Sequence, residues 1–261
     1  MKQISLTGHM IIRNEEQWVW YAIQSALRIL DRLLIFDTGS TDDTVKIINS
    51  IKSPKIIFEQ KSPISVIDLV TLRNEQLKRT KTNWFLLLDG DEVWPQDTTE
   101  ELSQIITAKK NIAAIAVKAR VPVGDLMHYQ PFSAGKYHIL GKSGHFNVRV
   151  YKKLDGYNWQ GTYPLEAYQG PEGIPIQNQN EKVLLLDHEY WHLTHLRRSK
   201  FDNHGKTKLE IGIKKSVTLP QVFSLERPNI VPSPWVSFNF LQQTAAFILT
   251  PLRKLKRRLN Y

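Results

Sequence analysis

Apolar residues in the first 120 positions follow two alternating rhythms, short continuous runs and longer stretches at helical spacing. The runs Ile4 to Ile12, Leu33 to Phe36, Lys55 to Phe58, Trp84 to Leu88 and Ile112 to Val117 predict strands, most of them buried on both faces. Between them, Glu15 to Leu30, Thr41 to Ile51, Val66 to Lys78 and Thr99 to Lys109 predict helices. Val45, Ile48 and Ile51 share one face of the second helix, with Ser40 or Thr41 as its N-cap. Repeated β-α-β units with short connections imply an α/β fold, a mainly parallel sheet flanked by helices. From about Pro122 the periodicity fades into glycine, proline, histidine and aromatic residues, leaving isolated strands at Asn147 to Tyr151 and Val183 to Leu186. Such an irregular half shapes a pocket beside a regular sheet. From Trp235 to Tyr261 the spacing turns helical again. Phe238, Leu241, Ala245, Ile248, Leu252, Leu255 and Leu259 form one stripe, which Pro251 should interrupt or divide into two helices.

These patterns divide the chain into residues 1–225 (1–120 regular, 121–225 irregular) and a C-terminal segment, 226–261. Its 261 residues suffice for one large α/β domain with or without an appendage. The absence of cysteine excludes disulfides, thiolate catalysis and cysteine zinc sites. The formal net charge of +10 is concentrated late, for no acid follows Glu226 while Arg227, Arg253, Lys254, Lys256, Arg257 and Arg258 do. Nucleic acid, an anionic membrane and acidic substrates all suit that balance, and an amphipathic basic segment over 235–261 suits an anionic membrane surface best. The N-terminus shows no signal-peptide core and no run is long enough to cross a bilayer, so a cytoplasmic protein, peripheral on the inner face of the plasma membrane, is expected.

The chemistry concentrates where predicted strands end. Trp84 to Leu88 delivers Asp89, Gly90, Asp91 and Glu92 to the crevice where open α/β sheets bind ligands. Two carboxylates this close suit a divalent cation with a preference for hard oxygen, Mn²⁺ or Mg²⁺; an Asp-Gly turn with solvated acids is the plainer reading. After the first strand come Arg13, Asn14, Glu15 and Glu16, and after the second the loop from Asp37 to Asp43. Both open helices, whose free N–H groups could hold polar parts of a nucleotide. Asp37, ending a buried strand, is suited to a base or ribose, and Arg73 to a diphosphate. His188, His192 and His195 are candidate ligands or packing residues, with Arg197 or Arg198 in reach of phosphate; without a His-Glu-x-x-His pattern they do not indicate zinc.

In this order, the runs Ile12 to Glu16, Phe36 to Thr44, Leu72 to Glu75 and Leu86 to Glu92 resemble the GT-A glycosyltransferases of family 2. The resemblance implies a Rossmann-like GT-A fold and an inverting, hexosyltransferase-type enzyme that uses a nucleotide-diphosphate sugar donor and a divalent metal. It implies that Asp37 contacts the nucleoside, Arg73 the diphosphate, Asp89 and Gly90 the sugar or ribose, and Asp91 the metal, with Arg13, Asn14 and Glu15 in the same donor site. Single-domain members carry a tryptophan-glycine loop ending in His-Glu, which matches Trp159 to Glu166 with Leu165 in the histidine's place and makes Glu166 the candidate base. A histidine near the diphosphate or metal, His195 or His192, should follow, ahead of a basic helix. The Gln-x-x-Arg-Trp motif of processive synthases is missing, which implies a single-addition enzyme. Its acceptor would be a glycan, a lipopolysaccharide or a lipid-linked sugar of the cell envelope, and nucleic acid is not expected. A sugar nucleotidyltransferase and a non-enzymatic membrane or nucleic-acid binder are the alternatives.

Overall fold

A computed structural model describes residues 5–61, 69–108, 111–201, 207–214 and 216–259. The predicted strands form as β1 (Leu6–Ile12), β2 (Arg32–Asp37), β3 (Ile56–Gln60), β4 (Trp84–Leu87) and β6 (Ala114–Arg120), with a two-residue β5 (Glu92–Val93) after the acid turn. The irregular half adds β7 (Pro122–Val123), β8 (Asp125–Tyr129), β9 (Tyr137–Ile139), β10 (Lys142–Gly144), β11 (Phe146–Lys152), β12 (Asn158–Gln160), β13 (Ala167–Gln169), β14 (Val183–His192) and β15 (Ile213–Lys214). One sheet of eight strands runs β3-β2-β1-β4-β11-β6-β14-β5. Pairing is parallel except where β11 and β5 join it, so the expected mainly parallel sheet holds. On one face the core packs α1 (Val19–Ala26) through Trp18, Tyr21 and Ile23. On the other, Phe85, Tyr151, Trp159 and Tyr168 form an aromatic cluster beneath α3 (Leu69–Arg79). α2 (Thr44–Ser50) and α4 (Gln96–Ala108) complete the flanks. Residues 66–68, which open the predicted third helix, lie outside the described residues, as do Ile4 and Lys109 at the ends of the predicted first strand and fourth helix.

Several boundaries differ from the pattern, and three of the differences have a plain local reason. The first helix starts at Val19 rather than Glu15, because Glu15 and Glu16 are drawn into bonds with neighbouring loops: Glu15 N donates to Thr44 Oγ1 and Asp43 N to Glu16 Oε2. The second starts at Thr44, capped neither by Ser40 nor by Thr41, because those residues serve Asp37 and Asn14 while Asp42 Oδ1 accepts from Thr44 N. β14 continues to His192, six residues past the predicted end, across a register shift against β6 between Leu185 and Glu189.

The C-terminal helix α5 (Phe240–Leu259) is one helix, continuous through Pro251. Residues before it belong to the main body: Tyr21 Oη donates to Pro232 O and Gln17 Nε2 to Ser233 O. The face of α5 turned to the body holds Ala246, Thr250 and Arg257; Thr250 Oγ1 accepts from Ile211 N at 2.7 Å and Arg257 pairs with Glu210. From Leu241 on the stripe points outward, leaving Leu241 76% and Leu259 75% exposed and Ile248, Leu252 and Leu255 also open, with Phe247 open beside them, whereas Phe238 precedes the helix and packs against Gly124. Among the described residues no helix is long and apolar enough to cross a membrane.

Candidate active site

Strand ends of β1, β4, β6 and β14 surround a cavity of about 1240 Å³. Its floor is the acid turn. Leu88 N donates to His9 O, extending the β4 pairing by one residue, and Glu92 N closes the turn on Asp89 O at 3.1 Å. Gly90 is required here, since a Cβ would stand 2.8 Å from Glu15 Cγ. The turn leaves Asp89 part-exposed and buries Asp91. Ligand atoms of Asp89, Asp91 and His192 converge within 4.8 Å of one another. His192 Nε2 lies 3.7 Å from Asp91 Oδ1. Burial first, and then Arg149, hold the imidazole below its usual range despite Asp91, so it is neutral and can offer a lone pair. Asp91 Oδ2 is buried with no hydrogen-bond partner, though Arg198 Nη1 lies 3.5 Å away. Two carboxylates, one neutral imidazole and an unbonded buried oxygen fit a divalent cation, and the nitrogen suits Mn²⁺ better than Mg²⁺.

Arg149 and Glu92 complete the floor, and neither was predicted. Arg149 Nη2 donates to Asp89 Oδ2 at 2.9 Å and also contacts Glu92 Oε1. The register of β11 against β6 slips between Val148 and Val150, so Arg149 is the extra residue of a β-bulge. Bulges re-aim a side chain, and here the bulge residue is the one that meets the two acids. Burial opposes ionisation of Asp89, but Arg149, then Arg73 and His192, outweigh it and hold the carboxyl below the usual carboxylate range. Glu92, fully buried, is pushed well above that range by burial, against the pull of Arg149.

The remaining predicted residues divide into those on the cavity wall and those behind it. Arg13, Glu15, Arg73, Glu166 and His195 line the cavity. Arg73 Nε and Nη2 both donate to Glu166 Oε1 at 3.3 Å, and its guanidinium lies over Trp159. Asn74 pins that loop by exchanging hydrogen bonds with the Trp159 backbone at 2.8 and 2.9 Å. Glu166 Oε2 is buried without a hydrogen-bond partner. Asp37, expected to face the nucleoside, is fully buried behind the wall. Gly39 N and Ser40 N donate to its Oδ2 and the Ser40 hydroxyl to its Oδ1, and neighbouring Thr38 lines the cavity instead. Asn14 is likewise held by its own loops, its Oδ1 accepting from Thr41 N at 2.8 Å. His195 stands outside the converging ligand set; burial first, then Lys208, hold its pKa down at about 3. Arg197 donates to the Ser199 carbonyl, whereas Arg198 enters the site and pairs with Glu15 at 2.7 Å. Among the described residues the stretch from His195 to Phe201, where a basic helix was expected to begin, forms turns and extended chain.

Residues 9–167 match the sequence profile described as glycosyl transferase family 2. Over 121 residues the chain is 26% identical to uncharacterized glycosyltransferases of Rickettsia prowazekii (strain Madrid E) and Rickettsia typhi (strain ATCC VR-144 / Wilmington), covering 46% of this chain. The match spans about two fifths (39%) of those relatives' length. Among solved structures, residues 1–349 of S. aureus TarS in complex with UDP-GlcNAc share the fold, with a TM-score of 0.51 and 15% identity over 73% of this chain and 58% of that one.

Proposed function

The chain belongs to glycosyl transferase family 2, and we propose that it moves a sugar from a nucleotide-diphosphate sugar to a hydroxyl of a glycan, lipopolysaccharide or lipid-linked acceptor, with inversion at the anomeric carbon. The observation that carries this reading is the convergence of Asp89, Asp91 and His192 on the floor of a cavity whose wall presents Glu166. In this reading residues 1–120 hold the donor, 121–225 receive the acceptor, and 226–261 meet an anionic membrane surface at the inner face of the plasma membrane.

Asp89, Asp91 and His192 would hold a divalent metal, which when bound neutralises charge developing on the leaving diphosphate. Arg13 and Arg198, on the same wall, add fixed positive charge toward that end of the donor. Arg149 holds Asp89 in place from beneath, so the carboxylate keeps its direction toward the cavity. At the acceptor end Glu166 takes the proton of the attacking hydroxyl. Arg73 fixes its Oε1, and Oε2 remains to accept. Inversion needs only this one base on the face of the sugar opposite the leaving group. Thr38 and the loop held by Asp37 border the nucleoside, with Asp37 shaping that loop.

A thermal-shift panel of UDP, GDP, CMP and their sugar conjugates, with and without Mn²⁺, tests the reading, because a ligand bound to the folded state raises the melting temperature. A metal-dependent rise with one nucleoside diphosphate, absent in Asp91→Ala, is expected. Equal melting temperatures across the whole panel, in folded protein, would remove the donor site.

A further inference from the structure

Across the acid turn from the donor loops lies a group of residues that the proposed reaction does not use. The loops after β1 and β2 stand on one side of β4 in the sheet; β11, β6 and β14 stand on the other. There the cavity wall carries Lys136, Lys208, Gln130 and His145. Backbone bonds fix three of them: Ala119 N donates to His145 O at 2.8 Å, Gln130 N to Val121 O at 3.0 Å, and Lys208 N to His195 O at 3.1 Å. Gln130 is only 6% exposed and its Oε1 has no hydrogen-bond partner; neither has the buried Nε2 of His145. Buried polar atoms without a partner are costly unless a polar ligand satisfies them, and both belong to residues that line the cavity.

Charge here is unbalanced. Glu210, 1% exposed, is the acid beside Lys208, with 3.9 Å from Nζ to Oε2. That carboxylate is already engaged. Arg257 of α5 grips it with both terminal nitrogens, and Gln130 Nε2 donates to it at 2.9 Å. Among the described residues no carboxylate lies within ion-pair distance of Lys136. Burial first, with Arg257, Arg253 and Lys136 adding to it against the pull of Glu210, holds Lys208 below its usual range. His145, lowered to about 4 by burial and then Lys208, is neutral and adds a polar atom without charge.

We infer that this wall is an anion-reading acceptor subsite, in which Lys136 and Lys208 hold a carboxylate or phosphate carried by the acceptor sugar while Gln130 and His145 bond its hydroxyls. The inference rests on the proposed transfer reaction and names its acceptor class, an acidic sugar. Arg257 acts as a positioning residue, since by occupying Glu210 it leaves the Lys208 charge to the ligand. Because Arg257 sits on α5, the helix with the outward apolar stripe, the subsite is tied directly to the segment read as the membrane contact.

The test compares weak binding of glucuronate, glucose 6-phosphate and glucose by saturation-transfer NMR, on the full chain with and without UDP and Mn²⁺. Both acidic sugars should bind at least about tenfold more tightly than glucose, the scale of one charge-assisted hydrogen bond, and inorganic phosphate should compete with them. Lys136→Ala, an exposed position, should reduce that preference several-fold, and Lys136→Ala/Lys208→Ala should erase it with UDP affinity unchanged. Equal binding of glucose and the acidic sugars would overturn the inference. So would loss of UDP affinity in the double variant, which would make these lysines a clamp for the donor's diphosphate. Failure of the wild-type chain to bind UDP strikes the donor site alone, because the sugar comparison without UDP still stands.

Discussion

Replacing Arg149 by leucine removes the cation from beneath two acids, Asp89 and Glu92. Arg149 is 8% exposed and Glu92 not exposed at all, so water cannot replace the lost partner for Glu92, whereas Asp89 can turn toward the cavity and hydrate. Breaking a buried pair at one end costs ~3–5 kcal/mol, here the cost of leaving Glu92 either as an unpaired buried charge or in the protonated form that its burial already favours. Against a total stability of ~5–15 kcal/mol, that is a large share. For a chain of this size 1 kcal/mol moves the melting temperature by ~2–4 °C, so a fall of ~6–20 °C is expected. The measurement is a urea titration with a thermal melt, both in EDTA so that adventitious metal does not support the acids. The double variant Arg149→Leu/Glu92→Leu removes both buried charges and should recover most of the loss, because an apolar pair of similar volume replaces an ion pair at little cost. If the single variant unfolds within about 1 kcal/mol of wild type, or the double is no more stable than the single, the bulge does not place its arginine as an essential counter-charge.

Three further outcomes are expected. Glu166→Gln should lower kcat by ~10²–10⁴-fold, the usual worth of a positioned base, with donor binding intact; equal loss of donor affinity would make Glu166 a binding residue held by Arg73. His9 is buried with its pKa lowered to about 3, by burial first and then Arg73 and Lys153. The unfolded chain therefore binds a proton below about pH 6.5 that the folded one refuses, and stability is lost as pH falls. His9→Gln should flatten unfolding free energy between pH 6.5 and 5 by ~1.4 kcal/mol per pH unit, and an unchanged slope would refute the assignment. The chain should sediment with vesicles containing anionic lipid and not with neutral ones, less so at high salt. Phe247→Glu should abolish this, and Lys256→Ala should weaken it by about fivefold, one basic residue's worth of ~1 kcal/mol; salt-independent binding to neutral vesicles would point to the stripe alone.

The parts of the site legible in the sequence share one property: their surroundings are set by residues near them in the chain. Asp89 and Asp91 end a continuous apolar run, so their place at a strand end follows from the run itself, and His192 could be named because it stands among other possible ligands. Arg149 could not. In a strand a lone arginine reads as a solvent-facing position, and what turns it inward is a register slip against β6, thirty residues earlier. Asp37 is the opposite case, for its buried strand end suggested a ligand contact, while in the fold the N–H groups of Gly39 and Ser40 occupy its Oδ2 and the Ser40 hydroxyl its Oδ1. The stripe on α5 was visible as a stripe, but spacing alone cannot say whether it faces the body or the solvent. Glu210 answers that through its grip on Arg257, on the opposite side of the helix. The same contact explains why the subsite residues were missed. Lys208 and Gln130 lie in stretches without periodicity, and their meaning depends on whether Glu210 is free to neutralise them, which only the docking of α5 decides.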